Sequence, residues 1–224
     1  MSFQEKIEHF VLKYLAVPKT PKRLEGKRYI ACIGDSITFG AGVRGKKEET
    51  WEYFLNELLS ETYQVLNYGL SARTLQDEGD YPYKADKFYT ESKKGKIDTF
   101  LIMLGTNDAK PHNWNEERYK SELVSFVNEY KKRGEVLLMT PPSCFEDEKS
   151  GIVPFDIDKK TIDGPIQRII FETGKECKVP VIDLHEYTKD HPEWFADGIH
   201  PNKEGNKNIA RYIFHQLEVI HSII

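Results

Sequence analysis

The sequence predicts an α/β fold, a three-layer α/β/α sandwich around a parallel sheet, on three observations. Strand candidates alternate with helix candidates along the chain. Most strand candidates are continuous apolar runs, the pattern of parallel strands covered on both faces. No internal repeat, low-complexity tract or linker interrupts the alternation, and 224 residues suit one domain spanning 1–224. Right-handed crossovers then place helices on both faces of the sheet.

The elements follow in order. Phe3, Ile7, Phe10, Val11 and Tyr14 recur at helical spacing and predict an amphipathic N-terminal helical extension over about 1–25. Tyr29–Ile33 is the first strand. Trp51, Phe54, Leu55, Leu58 and Leu59 form a helical stripe with Thr50 as its N-cap. Gln64–Tyr68 and Thr99–Leu104 are the next strands, and Tyr119, Leu123, Phe126, Val127 and Tyr130 mark the helix after them. Val136–Thr140 is the fourth strand. The stretch from Pro141 to Lys160 is rich in Pro, Asp, Glu and Lys and reads as a loop on the active side. A third helix is expected to begin near Asp163-Gly164-Pro165, an Asp cap followed by an early proline. Val179–Leu184 is the fifth strand. The last helix follows Pro201-Asn202, with Ile209, Tyr212, Ile213 and Leu217 on one face.

Composition narrows the function classes. Charged residues make up 30% and the net charge is -4, which weighs against a nucleic-acid binder. The start carries acids without an apolar core of signal-peptide length, and no stretch is apolar and long enough to span a bilayer. The three cysteines form no CxxC pair, and Cys32 lies within an apolar strand as a buried thiol. A reduced, cytoplasmic setting is expected, with no membrane partner. Oligomeric state is not legible.

Four blocks carry chemistry: Gly34-Asp35-Ser36, Asn67-Tyr68-Gly69, Gly105-Thr106-Asn107-Asp108 and Asp197-Gly198-Ile199-His200. The first three each sit at the C-terminal end of a predicted strand. Parallel strand ends share one edge, where ligands bind in open α/β sheets. Ser36 is the candidate nucleophile, and a serine hydroxyl needs a base to take its proton during attack. His200 is that base, and Asp197, three residues earlier, accepts the other ring N–H and fixes the tautomer. The oxyanion donors are the Ser36 and Gly69 backbone N–H groups and the Asn107 amide. Gly69, lacking a Cβ, suits close approach of backbone to ligand. Asp108 and Asp35 read as supporting hydrogen bonders, and Asp183 as a weaker rival to Asp197.

These blocks, in this order, resemble those of the SGNH hydrolase superfamily, also called GDSL esterases and lipases, from Ile30 to about Ala210. The resemblance implies a flavodoxin-like five-stranded parallel sheet. It implies Ser36 as nucleophile, Gly69 and Asn107 as oxyanion donors, and His200 supported by Asp197. It implies no metal and no organic cofactor. The third block continues as Ala109-Lys110-Pro111-His112-Asn113-Trp114, which is similar to bacterial carbohydrate O-acetylesterases, including sialate and xylan acetylesterase-like branches. The expected substrate is therefore a small-molecule ester with a short acyl group, acetyl above all, on a sugar hydroxyl. Lys110, Trp114 and Arg73 are candidate substrate contacts, with Trp114 stacking on a sugar ring. Trp114 packed under the next helix, and Arg73 on the surface, are the alternatives.

Other readings stay open. A lysophospholipase or thioesterase-type hydrolase would use the same residues on longer acyl chains. His191, Asp197 and His200 match no compact zinc motif. A non-enzymatic binding module would not need nucleophile, base and amide donor together.

Overall fold

The computed structural model describes residues 18–43, 46–147 and 149–221. Five parallel strands form one sheet in the order β2-β1-β3-β4-β5. They are β1 (Arg28–Gly34), β2 (Tyr63–Gly69), β3 (Thr99–Met103), β4 (Glu135–Met139) and β5 (Val181–Ile182). The α/β class, the parallel sheet and the five strands are as the sequence predicts. From β1 the chain moves one way to β2, then returns across β1 to build outward through β3, β4 and β5. That reversal opens a crevice at the C-terminal ends of β1 and β3, the position where such sheets bind ligands.

The strands are built for burial on both faces. All of β3, Thr99–Met103, is buried, and Ala31, Cys32 and Ile33 of β1 are fully enclosed. Cys32 is the buried thiol the apolar run implies, and Cys144 and Cys177 are likewise free and buried. Helix α1 (Ser36–Phe39) follows β1, and α2 (Trp51–Leu59) begins at Thr50, whose Oγ1 accepts from the Tyr53 N–H at 3.3 Å. After a short α3 (Lys87–Glu91), helix α4 (Glu116–Lys131) buries Tyr119, Leu123, Phe126, Val127 and Tyr130, the predicted stripe. Helix α5 (Gln167–Cys177) packs on α4, a short α6 (Leu184–Thr188) follows β5, and α7 (Lys203–His221) packs on α2.

Three expectations need correction or restriction. The third helix starts earlier than Asp163. Its cap is Asp158, which accepts from the Lys160 N–H and the Thr161 hydroxyl, and a helical turn at Lys159–Thr161 passes through a π turn at Ile162–Ile166 into α5. Pro165 sits inside that π turn, because a residue without an N–H fits where the ordinary ladder is interrupted. The fifth strand is only Val181–Ile182 because Pro180 has no N–H to give a ladder, while Asp183 leaves the strand to cap α6 at the Glu186 N–H. Of the N-terminal extension, residues 18–24 carry no helix and include Pro18 and Pro21; the apolar stripe from Phe3 to Tyr14 lies outside the described residues. Among the described residues no helix is long and apolar enough to cross a membrane.

Two buried carboxyls lie beneath the crevice and make stability depend on pH. Asp35 and Asp108 are fully enclosed, and burial raises each to about 6. An unfolded aspartate releases its proton near 4. Between those values the native state holds a proton that the unfolded chain has lost, so stability falls as pH rises through that window. For Asp35 the drop is on the order of 3 kcal/mol. Asp35→Asn keeps an acceptor for the Ile37 N–H and removes the buried charge. Urea midpoints at about pH 5 and about pH 8 should therefore differ less in this variant than in the wild type.

Candidate active site

Each strand end delivers one part of the site. Asp35 leaves β1 with its side chain accepting from the Ile37 N–H at 2.9 Å, which starts α1 and brings Ser36 to its first position. Gly34 is obligatory here: a Cβ would meet Thr38 Oγ1 at 2.1 Å and the Met103 carbonyl at 2.7 Å. The histidine arrives on the loop before α7, where one aspartate does two jobs. Asp197 Oδ1 accepts from the Ile199 and His200 N–H groups at 3.0 and 2.8 Å, which tightens the turn. Its Oδ2 lies 2.7 Å from His200 Nδ1. The three-residue spacing allows both, because the ring folds back over the turn that its own N–H helps close.

The loop is also anchored from outside. The Phe145 N–H donates to the Gly198 carbonyl at 2.9 Å, and Asn206 Nδ2 donates to the Pro201 carbonyl at 2.7 Å. Asn206 Oδ1 in turn accepts from the Trp51 N–H at 2.9 Å, tying the loop to the start of α2. Nothing in the local sequence marks Asn206 for this task. It is a helix residue whose value lies in a contact 155 positions away.

His200 Nε2 lies 2.9 Å from Ser36 Oγ. An ionised carboxylate only accepts, so Nδ1 carries the ring proton and Nε2 is left to accept from the serine hydroxyl. Burial alone would raise the Asp197 carboxyl. The hydrogen bonds from the His200 ring and from its N–H, with the charge on that ring, outweigh burial and hold it below the ordinary value. The aspartate therefore stays ionised wherever the imidazole can act as a base. The arrangement can move a proton from serine to imidazole and stabilise the resulting imidazolium.

Ser36 and His200 open onto a cavity of about 220 Å³ that is also lined by Ala72, Asn107, Lys110 and Phe155. A larger cavity of about 340 Å³ lies between α2, β2 and residues 18–24, and neither Ser36 nor His200 lines it.

Of the expected oxyanion donors, the structure brings Ser36 and Asn107 to the cavity and leaves Gly69 out. The Gly69 N–H donates to Asn67 Oδ1 at 2.7 Å. Glycine is required there for packing within the protein: a Cβ would sit 2.3 Å from the Phe39 nitrogen and 2.5 Å from the Thr38 carbonyl carbon. The β2 block instead presents Ala72, three residues on, at φ 64°. Left-handed backbone is rare for a residue with a Cβ and turns the peptide into an orientation that sheets and helices do not offer. No acceptor among the described residues takes the Ala72 N–H. A sequence signal for this position would have been a glycine, and alanine hides it.

Asn107 is fixed by its surroundings. Its Nδ2 donates to the Arg73 carbonyl at 3.1 Å, and its own carbonyl accepts from Asn113 Nδ2 at 2.9 Å. Asp108 accepts from the Leu75 and Gln76 N–H groups, both at 2.9 Å, and thereby holds the loop that carries Ala72.

The candidate substrate contacts divide. Lys110 lines the cavity and lies 3.6 Å from Asp80. Burial would raise the Asp80 carboxyl, but the hydrogen bond and charge of His112, with Lys110 and Asn113, hold it below its ordinary value. Arg73 is neither a surface residue nor a cavity residue. It is 3% exposed and its guanidinium pairs with Asp86 at 2.5 Å and with the Ser71 carbonyl at 2.9 Å. Trp114 is half-buried, packs on Tyr119 with ring centroids 5.3 Å apart and rests against the core, and it does not line this cavity.

The other histidines stand apart. His112 bonds Asp80, His185 bonds Asp163, and His191 stacks on Trp194 with centroids 3.7 Å apart. Among the described residues no three His, Cys, Asp or Glu side chains are grouped to hold a metal ion.

Comparison with known proteins follows the same residues. A family model described as GDSL-like Lipase/Acylhydrolase family matches residues 32–207. An acetylxylan esterase from Xylanibacter ruminicola is 32% identical over 90% of this chain, which spans 44% of that protein's length. Among solved structures, a carbohydrate acetylesterase from Sinorhizobium meliloti is 20% identical, with 87% of this chain and 100% of that chain covered at a TM-score of 0.70. The aryl esterase of M. smegmatis is 22% identical, with 86% and 99% covered at a TM-score of 0.69. At these identities the two structures attest the shared fold.

Proposed function

This chain belongs to the GDSL-like lipase/acylhydrolase family, and from that premise we propose that it is a serine esterase that removes short acyl groups, acetyl foremost, from carbohydrate hydroxyls. The observation that carries the reading is the hydrogen-bonded line Asp197–His200–Ser36, at 2.7 and 2.9 Å, ending in a small cavity.

In this mechanism His200 Nε2 takes the Ser36 proton as Oγ attacks the ester carbonyl. The tetrahedral oxyanion accepts from the Ser36 and Ala72 N–H groups and from Asn107 Nδ2. Collapse breaks the bond to the sugar oxygen, which leaves with the proton held on His200. Water then gives a proton to His200 and attacks the acyl-serine. The second tetrahedral species collapses to acetic acid, which ionises in solution, and free Ser36, the imidazole returning the proton to Oγ. Asp197 holds the imidazole tautomer in both halves.

Three observations support a short acyl group on a polar alcohol. A cavity of about 220 Å³ falls below the 300–1,000 Å³ usual for drug-sized ligands and favours a compact acyl group. Lys110, 3.6 Å from Asp80, places charge and hydrogen-bonding capacity in its wall, and the similar protein from Xylanibacter ruminicola is an acetylxylan esterase.

The test is a series of p-nitrophenyl esters. An acyl site sized for one methyl gives no return for added methylenes, each of which gains ~0.8 kcal/mol where burial is available. The value of kcat/KM should fall steadily from acetyl through butyryl to octanoyl. A rise with chain length would favour the lysophospholipase or thioesterase alternative.

A further inference from the structure

The segment after the fourth strand carries an oddity that the mechanism leaves unused. Phe155 and Asp156 are consecutive residues with left-handed backbone, at φ 64° and 58°, and neither is glycine. Strain of this kind persists only where the surroundings over-determine it. Here the segment is clamped at both ends. Val153 and Ile157 are buried, the Asp158 N–H donates to the Ala109 carbonyl at 3.1 Å, and Pro154 Cδ lies close over Gly198. The clamps are therefore the Asn107 loop on one side and the Asp197–His200 loop on the other.

What the strained turn delivers is an aromatic ring in water. Phe155 is 55% exposed, yet it lines the catalytic cavity and its ring meets His200 at 5.3 Å between centroids and 71° between planes. In an edge-to-face pair at most one face of the phenyl ring is covered by the imidazole, and more than half of the residue stays in solvent while it lines the cavity. A large apolar side chain held by strain in an exposed position is not explained by its burial. Lys110 lines the same cavity, which places a hydrogen-bonding cation within the site that the ring borders.

We propose that Phe155 is the aromatic platform of the alcohol subsite, on which the pyranose ring of the acetylated sugar stacks while its ester carbonyl reaches Ser36. The proposal rests on the carbohydrate reading above and gives the stacking role expected of Trp114 to another residue. Phe155 acts on the leaving alcohol and not on the acyl group, so it sets specificity for the ring.

The experiment compares a monoacetylated methyl xylopyranoside with methyl acetate, which shares the acyl group and offers no ring. In the wild type kcat/KM favours the pyranoside. Phe155→Ala should lower the pyranoside-to-methyl-acetate ratio about tenfold, the scale of one aromatic stacking contact, and Phe155→Trp should restore it. Phe155→Gly relieves the left-handed strain, so it should melt at or above the wild type while losing the same ratio. An unchanged ratio in Phe155→Ala, or a lower melting temperature in Phe155→Gly, would overturn the platform and leave the carbohydrate reading standing. A wild type with no preference for the pyranoside would overturn both.

Discussion

Replacing Ser36 with alanine lowers kcat on a short acetate ester by about 10,000- to 1,000,000-fold. The expectation follows from the geometry: Ser36 Oγ is the one atom positioned both on the cavity and 2.9 Å from His200 Nε2. His200→Ala should cost a similar factor, because a hydroxyl without its base reacts poorly at neutral pH. Combining the two changes should add little, since serine and histidine act in one proton transfer and removing either abolishes it. Stability gives the control. The serine hydroxyl has the histidine as its partner and caps nothing, so Ser36→Ala should shift unfolding by less than about 1 kcal/mol. A kinetic assay beside a urea titration reads both quantities.

Asn107→Ala is the second large effect. It should lower kcat by ~100- to 1000-fold with a much smaller change in KM, because an oxyanion donor acts mainly as charge develops on the substrate oxygen. One Nδ2 hydrogen already holds the Arg73 carbonyl at 3.1 Å, which orients the amide and leaves the second hydrogen for the cavity. Steady-state kinetics on an acetate ester separates the two parameters. A loss confined to KM would make Asn107 a ground-state contact and remove it from the oxyanion set.

Much of this was legible in the sequence, for identifiable physical reasons. Strands buried on both faces must be apolar throughout, so Tyr29–Ile33 and Thr99–Leu104 announce themselves. The Asp197-to-His200 spacing is readable because one turn fixes both groups. The structure then shows that the same carboxylate closes that turn. Cap chemistry was readable at Thr50 and misleading at the third helix, where the Asp163-Gly164-Pro165 signal lies inside a π turn and Asp158 is the cap.

The rest depends on contacts that local sequence does not encode. Gly69 satisfies a glycine argument, but its missing Cβ makes room for α1 and its N–H is taken by Asn67. Ala72 takes a positive-φ conformation that a glycine would have advertised. Arg73 and Trp114 are chemically suited to a sugar, but Arg73 is buried against Asp86 and Trp114 packs on Tyr119 outside the cavity lining. Phe155 lay in a stretch rich in proline and charge, where no periodicity marks an aromatic ring as a site residue.

On the proposed mechanism Ser36, activated by His200, forms a covalent acyl-enzyme. This step is tested most directly by incubating the protein with diethyl p-nitrophenyl phosphate and mapping the modified peptide by mass spectrometry. Attack by Oγ on phosphorus expels p-nitrophenolate and leaves a diethylphosphoryl group on the serine, since the tetrahedral adduct has no route to rapid hydrolysis. One adduct is expected, on Ser36, in step with the loss of esterase activity, and none in His200→Ala over the same time. An adduct on another residue, or full activity after Ser36 is modified, would contradict the mechanism.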